Sequence, residues 1–113
     1  MGNDLTLREY SERAGATAVY PNRGGNLTYP VLGLCGEAGE VAEKVKKIFR
    51  DCGGVVDAAK CDAIAKELGD VLWYVAATAH ELGVSLEDVA SRNLDKLASR
   101  KDRGKLTGSG DER

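Results

Sequence analysis

Apolar positions recur along this chain at the spacing of a helix. Leu34, Ala38, Val41, Val45 and Ile48 return every three or four residues, which places them on one stripe of a helical surface. The same period runs through Ile64, Leu68, Val71, Val75, Ala79 and Leu82, and again through Leu86, Val89, Ala90, Leu94 and Leu97. Thr6 with Glu9 reads as a capping box, opening a first helix through Leu7, Tyr10, Ala14 and Ala18. Pro21, Gly24 and Gly25 break the chain between Tyr20 and Asn26. Tyr29-Pro30 leads into the second helix, with Pro30 tolerated in its first turn, and the Gly53-Gly54 pair ends it after Asp51-Cys52. The third helix is expected from about Asp62 to Leu82, closed by Gly83. Ser85 caps the fourth, with Glu87 and Asp88 where the helix dipole favours acids. Beyond Arg100 the chain is polar and glycine-rich, and composition predicts a disordered tail over about 101–113. Alternation with period two is absent. The expectation is an all-α fold, with residues 1–113 forming one domain.

Composition narrows this further. A chain of 113 residues with 42% hydrophobic and 30% charged residues fits a soluble globular protein. Aromatics at 5% leave an aliphatic, alanine-rich core. A net charge of -2 without a basic run argues against nucleic-acid binding. No apolar stretch is long enough to span a bilayer, and the polar start is no signal peptide, so a cytoplasmic protein is expected. Cys35, Cys52 and Cys61 lack Cys-x-x-Cys spacing, and His80 is the only histidine, so reduced cysteines are expected rather than a zinc site.

The candidate chemistry lies in two pairs of acids, Glu37 with Glu40 and Glu67 with Asp70. At ~100° per residue, each pair sits at the same offset, to the same side, of its helix's apolar stripe. Helices joined by a short loop pack antiparallel, and equal offsets then bring both pairs to one edge. One such pair is usually a solvated face; two at matching phase predict a shared site. Four clustered carboxylates need positive charge among them. Lys44 and Lys47 continue the stripe but cannot neutralise four acids, whereas a hard divalent cation can. All-oxygen ligation suits Mg²⁺ or Mn²⁺, which recruit substrate phosphates as further ligands. On the fourth helix Asn93 falls within the apolar face, and Lys96 and Arg100 follow at its edge. It reads either as a buried, satisfied amide or as part of a phosphate-facing set. Tyr74 lies on the Glu67/Asp70 stripe, while Trp73 points away toward core or interface. Phe49 and Leu72 add apolar surface that so small a chain cannot hide, so a partner surface is expected.

In Glu37-x-x-Glu40 followed by Glu67-x-x-Asp70, and on through Asn93-Leu94-Asp95-Lys96-Leu97 and Lys101 to Lys105, the chain resembles the MazG-like all-α nucleoside triphosphate pyrophosphohydrolases. The resemblance covers nearly the whole chain and shows no departure at the four acids. It implies a four-helix-bundle-like fold around a helical hairpin, and a homodimer or homotetramer with sites at subunit contacts. It also implies Mg²⁺- or Mn²⁺-dependent hydrolysis of an NTP or dNTP to the monophosphate and pyrophosphate. Glu37, Glu40, Glu67 and Asp70 would hold the metal; Asn93, Lys96 and Arg100 would contact substrate. Read from the stripes themselves, Glu40 or Glu43 is the candidate base for the attacking water, Lys44 or Lys47 is placed to meet the phosphates, and Tyr74 either hydrogen-bonds the substrate or packs. Base preference is left to the first helix and the 20–30 loop, with Asn22, Asn26 and Tyr29 as candidates. The rival reading is a non-catalytic helical oligomerisation module, with the same acids in structural ion pairs.

Overall fold

The computed structural model describes residues 4–110, which form four helices: α1 (Leu7–Gly15), α2 (Thr28–Asp51), α3 (Ala58–Leu82) and α4 (Leu86–Asp102). No strand occurs among the described residues. Local chemistry sets most of the boundaries. Thr6 Oγ1 accepts from the Glu9 amide at 3.0 Å and donates to its carboxylate at 3.1 Å, as the capping signal predicts. Helix α1 stops at Gly15 rather than reaching Ala18. There the amides of Thr17 and Ala18 reach back only three residues, and the Thr17 hydroxyl ties to the Ala14 carbonyl at 2.7 Å.

Asn26 performs the capping at the start of α2, its Oδ1 accepting from the Tyr29 amide at 3.1 Å. Pro30, fully buried, follows in the first turn. Gly53 and Gly54 take φ of 62° and 78°, and the Gly54 amide closes the helix end on the Ile48 carbonyl. Helix α3 begins four residues ahead of the expected Asp62. Asp57 is the cap, its Oδ1 accepting from the Lys60 amide at 2.9 Å. An acidic cap following Val55-Val56 was legible in the sequence, but it lies outside the apolar period. Ser85 caps α4 through the Asp88 amide at 3.0 Å. This helix runs two residues past Arg100, and the Lys105 amide then folds back to the Arg100 carbonyl. The remaining tail to residue 110 is non-helical, and 111–113 lie outside the described residues.

The core gathers around the second half of α3: Ala76, Ala77 and Ala79 are buried with Tyr20, Pro30 and Leu86. Ile48 is buried near the far end of α2. The apolar stripes are less covered than their periodicity suggests. Ala38 and Val45 on α2, Leu68 and Leu82 on α3, and Val89, Leu94 and Leu97 on α4 are exposed. Phe49 is 71% exposed. The cause is connectivity. Helix α3 touches all three other helices, whereas α2 contacts only α3, and α4 packs on α1 and α3 but not on α2. The four helices are present as expected, but α2 and α4 do not pack on each other within one copy. The radius of gyration, 16.8 Å, exceeds the value of roughly 13 Å typical of a chain this long.

Between α2 and α3 the contacts descend along α3 as residue numbers rise along the partner segment. Asn26 meets Glu81, Gly33 meets Tyr74, Glu37 meets Asp70 and Glu67, and Lys44 meets Glu67. That progression brings the acids together.

Candidate metal centre

Carboxylate oxygens of Glu37, Glu67 and Asp70 lie within 4.8 Å of one another. Glu37 and Glu67 are half-buried and Asp70 is exposed, so the group sits at the rim of the α2–α3 contact. A hydrogen bond shared with Glu67 pushes the Glu37 carboxyl above its ordinary range, helped by lost hydration and by the charges of Asp70, Glu67 and Glu40. Carboxylates crowded in this way form a donor set suited to a hard divalent cation. Such an ion supplies positive charge among them. Lys44, whose Nζ is 3.7 Å from Glu67, supplies part of it.

Of the remaining expected site residues, Glu40 stands one turn from Glu37, exposed and outside the trio, though its charge reaches Glu37. Glu43 faces Lys46 at 2.9 Å and Lys47 at 3.5 Å, and its hydrogen bond and charge contact with Lys46 lower its pKa. Lys47 is thus turned to Glu43 and not to the trio. Tyr74 sits under the site, its ring against the backbone of Gly33, where any Cβ would collide with it. Burial raises the Tyr74 hydroxyl pKa, and Tyr29, Glu37 and Asp70 add to the effect. Tyr10 of α1 is raised by burial and then by the charge of Asp70, which places α1 beside the acids. Asn93, expected to point inward, is exposed, as is Lys96; both ride on the outer part of α4, which does not reach α2. Arg100 is 4% exposed, buried at the end of α4 rather than open at its edge.

Residues 28–104 match the family profile described as the MazG nucleotide pyrophosphohydrolase domain. The chain belongs to the MazG family. The MazG chain is 52% identical over 109 residues to the Gene 37 protein of Mycobacterium phage L5, covering 92% of this chain and 96% of that protein. No solved structure gives a significant match. The profile contains α2, α3 and α4, and so every acid of the trio.

Two features escaped the reading of the sequence. One is a cavity of about 600 Å³ between α1, α3 and α4. Trp73, Ala76, Ala77 and His80 line it from α3, with Arg8 and Arg23 opposite. Trp73 and Ala77 continue the face of Asp70 at helical spacing, so the cavity starts one turn from the acids. Trp73, half-buried, donates from Nε1 to Thr17 Oγ1 at 2.8 Å. Alanine pairs carry no motif; only the packing of α1 reveals the space.

The other is Glu81, near the end of α3. Its carboxylate accepts from the Tyr20 hydroxyl at 2.5 Å and from the amides of Gly24 and Asn26 at 2.8 Å each. These bonds, the Tyr20 hydroxyl first, hold its pKa down to about 2, while burial and Glu81 push Tyr20 up to about 12. Because the folded state favours the ionised form, this group's stabilisation is fully present above its ordinary 4.5 and is lost as pH falls toward about 2. Thermal melts from about pH 6 to about pH 3 should show a stability loss that flattens in Glu81→Gln. An unchanged pH slope would rule out this account.

The described helices include none long and apolar enough to cross a membrane. Cys35, Cys52 and Cys61 are free and exposed.

Proposed function

We propose that this MazG-family chain hydrolyses a nucleoside or deoxynucleoside triphosphate to the monophosphate and pyrophosphate. The observation carrying this reading is the trio Glu37, Glu67 and Asp70, charged beyond what its single lysine neighbour offsets. These acids, with Glu40 beside them, would hold Mg²⁺ or Mn²⁺. The ion, when bound, activates water and offsets charge on the phosphates.

The chain's own groups do the rest. Lys44, already at the trio, would bind phosphate oxygens. Of the two candidate bases, Glu43 is held ionised by Lys46 and Lys47, a weak position from which to take a proton; Glu40 has no such partner among the described residues and is the better choice. The cavity beside Asp70 is large enough for a nucleoside, with the Trp73 ring and polar His80 and Arg23 on its walls. Asn93 and Lys96 ride on the exposed part of α4, which packs on α1 and α3 and not on α2. The exposed Leu94, Leu97 and Phe49 favour a second copy, so we place the site in a homodimer or homotetramer. The exposed cysteines fit a reducing cytoplasm.

A non-catalytic module would spend these acids on ion pairs. Among the described residues only Lys44 pairs with the trio, at 3.7 Å, which favours the enzyme. The test is pyrophosphate release from the common NTPs and dNTPs with Mg²⁺ or Mn²⁺. Alongside it, Mn²⁺ at a hundredfold excess over Kd should stabilise the fold by about 2.7 kcal/mol, raising Tm by about 10 °C. Orthophosphate as the only product, or a Tm indifferent to the ion, would refute the proposal.

A further inference from the structure

We propose that Glu81 is the positioning residue that sets the register of the two acid-bearing helices. It clamps the entry of α2 to the exit of α3, so that Glu37 stands level with Asp70 and Glu40 with Glu67. This rests on the metal-site reading above and adds the device that assembles it.

The clamp is a three-bond acceptor site on one carboxylate. The Tyr20 hydroxyl and the Gly24 and Asn26 amides all donate to Glu81. Asn26 then uses its own side chain twice. Its Nδ2 closes the loop on the Pro21 carbonyl at 2.8 Å, and its Oδ1 caps α2 through Tyr29. Tyr20, buried, stacks on Tyr29 with ring centroids 4.7 Å apart, which joins the clamp to the first turn of α2.

The register follows from counting. Asn26 lies eleven residues before Glu37, and Glu81 lies eleven after Asp70. Glu40 and Glu67 are each fourteen residues from the same two anchors. With helices running in opposite directions at ~1.5 Å per residue, equal counts give equal heights, ~16 Å and ~21 Å from the clamp. Gly33 and Tyr74, each seven residues from its anchor, meet as this register requires. A slip of one residue would offset the acids by ~1.5 Å, more than a metal site tolerates. Because α2 touches no helix but α3, no other helix contact fixes its height.

The experiment compares the full chain with Glu81→Ala, Tyr20→Phe and Ile48→Val. The last weakens the α2–α3 contact at its far end without touching the clamp, and so controls for lost stability. Two readouts are taken. The first is the shift of the Gly33 α-protons by the Tyr74 ring, which reports register with or without metal. The second is Mn²⁺ affinity. Glu81→Ala should move the Gly33 signals toward ordinary glycine values and weaken Mn²⁺ binding ~10-fold or more, the range seen when an orienting partner is lost. Tyr20→Phe should do the same to a smaller degree, and Ile48→Val should change neither. Unshifted Gly33 protons in folded Glu81→Ala overturn the clamp whatever the metal does. Gly33 signals that move in Glu81→Ala, in a chain whose wild type binds no Mn²⁺, would uphold the clamp and instead refute the metal reading. If Glu81→Ala fails to fold, Tyr20→Phe decides by the same two readouts.

Discussion

Asp70→Asn should lower the rate of pyrophosphate release by on the order of 10²–10³-fold, the scale on which a single electrostatic group acts in an active site. The substitution keeps the shape and removes one charge from a trio whose oxygens lie within 4.8 Å. Removing that charge has the opposite effect on the metal-free fold. It relieves repulsion on Glu37, whose raised pKa owes part of its shift to Asp70. In a chelator the variant should therefore melt no lower than wild type, while its Tm gain from Mn²⁺ should largely vanish. Activity and stability moving in opposite directions mark a site strained for function. A variant within about threefold of wild-type activity would show that Asp70 does not bind the catalytic ion.

Gly33→Val should destabilise the fold by about 1–3 kcal/mol, lowering Tm by several degrees. Two effects compete. Valine is the better helix former by about half a kcal/mol, and at an open helical glycine that gain would decide the sign. At Gly33 the added carbons run into the Tyr74 ring, and overpacking is the larger effect. Gly36, Gly39 and Gly69 have nothing within reach of an added Cβ, so the same substitution there serves as the control. Tyr74→Ala combined with Gly33→Val should recover part of the loss, and thermal melts of the four-protein cycle measure it. Full additivity would mean that the two residues do not touch.

Much of this was legible in the chain. The phase of Glu37 against Glu67 and Asp70 could be read because acids near an apolar stripe keep a fixed angle to it. Caps at Thr6 and Ser85 were legible because their bonds are local. Asp57 was missed for lying outside the periodic run, and α1 was overextended because Ala18 fits the period while Thr17 turns the backbone. Asn93 falls among Leu94 and Leu97, which suggests an inward face, but this later part of the α4 stripe is exposed while Leu86 at its start is buried. A helical period reports which face is apolar and says nothing of whose surface covers it. Glu81 was passed over for a related reason: its partners are a tyrosine and two loop amides some sixty residues earlier, and long-range bonds of that kind leave no periodic trace.

The alanines of α3 bear on what the cavity can hold. Ala76 and Ala77 form its floor where α1 and α4 pack on α3, and larger side chains there would take up its space. Its opposite wall comes from α1 and from Arg23, in a loop whose backbone is tied down at Gly24 and Asn26 while side chains around it stay exposed. An occupant of this cavity would meet α1 and that loop on one side and a floor of small side chains on the other.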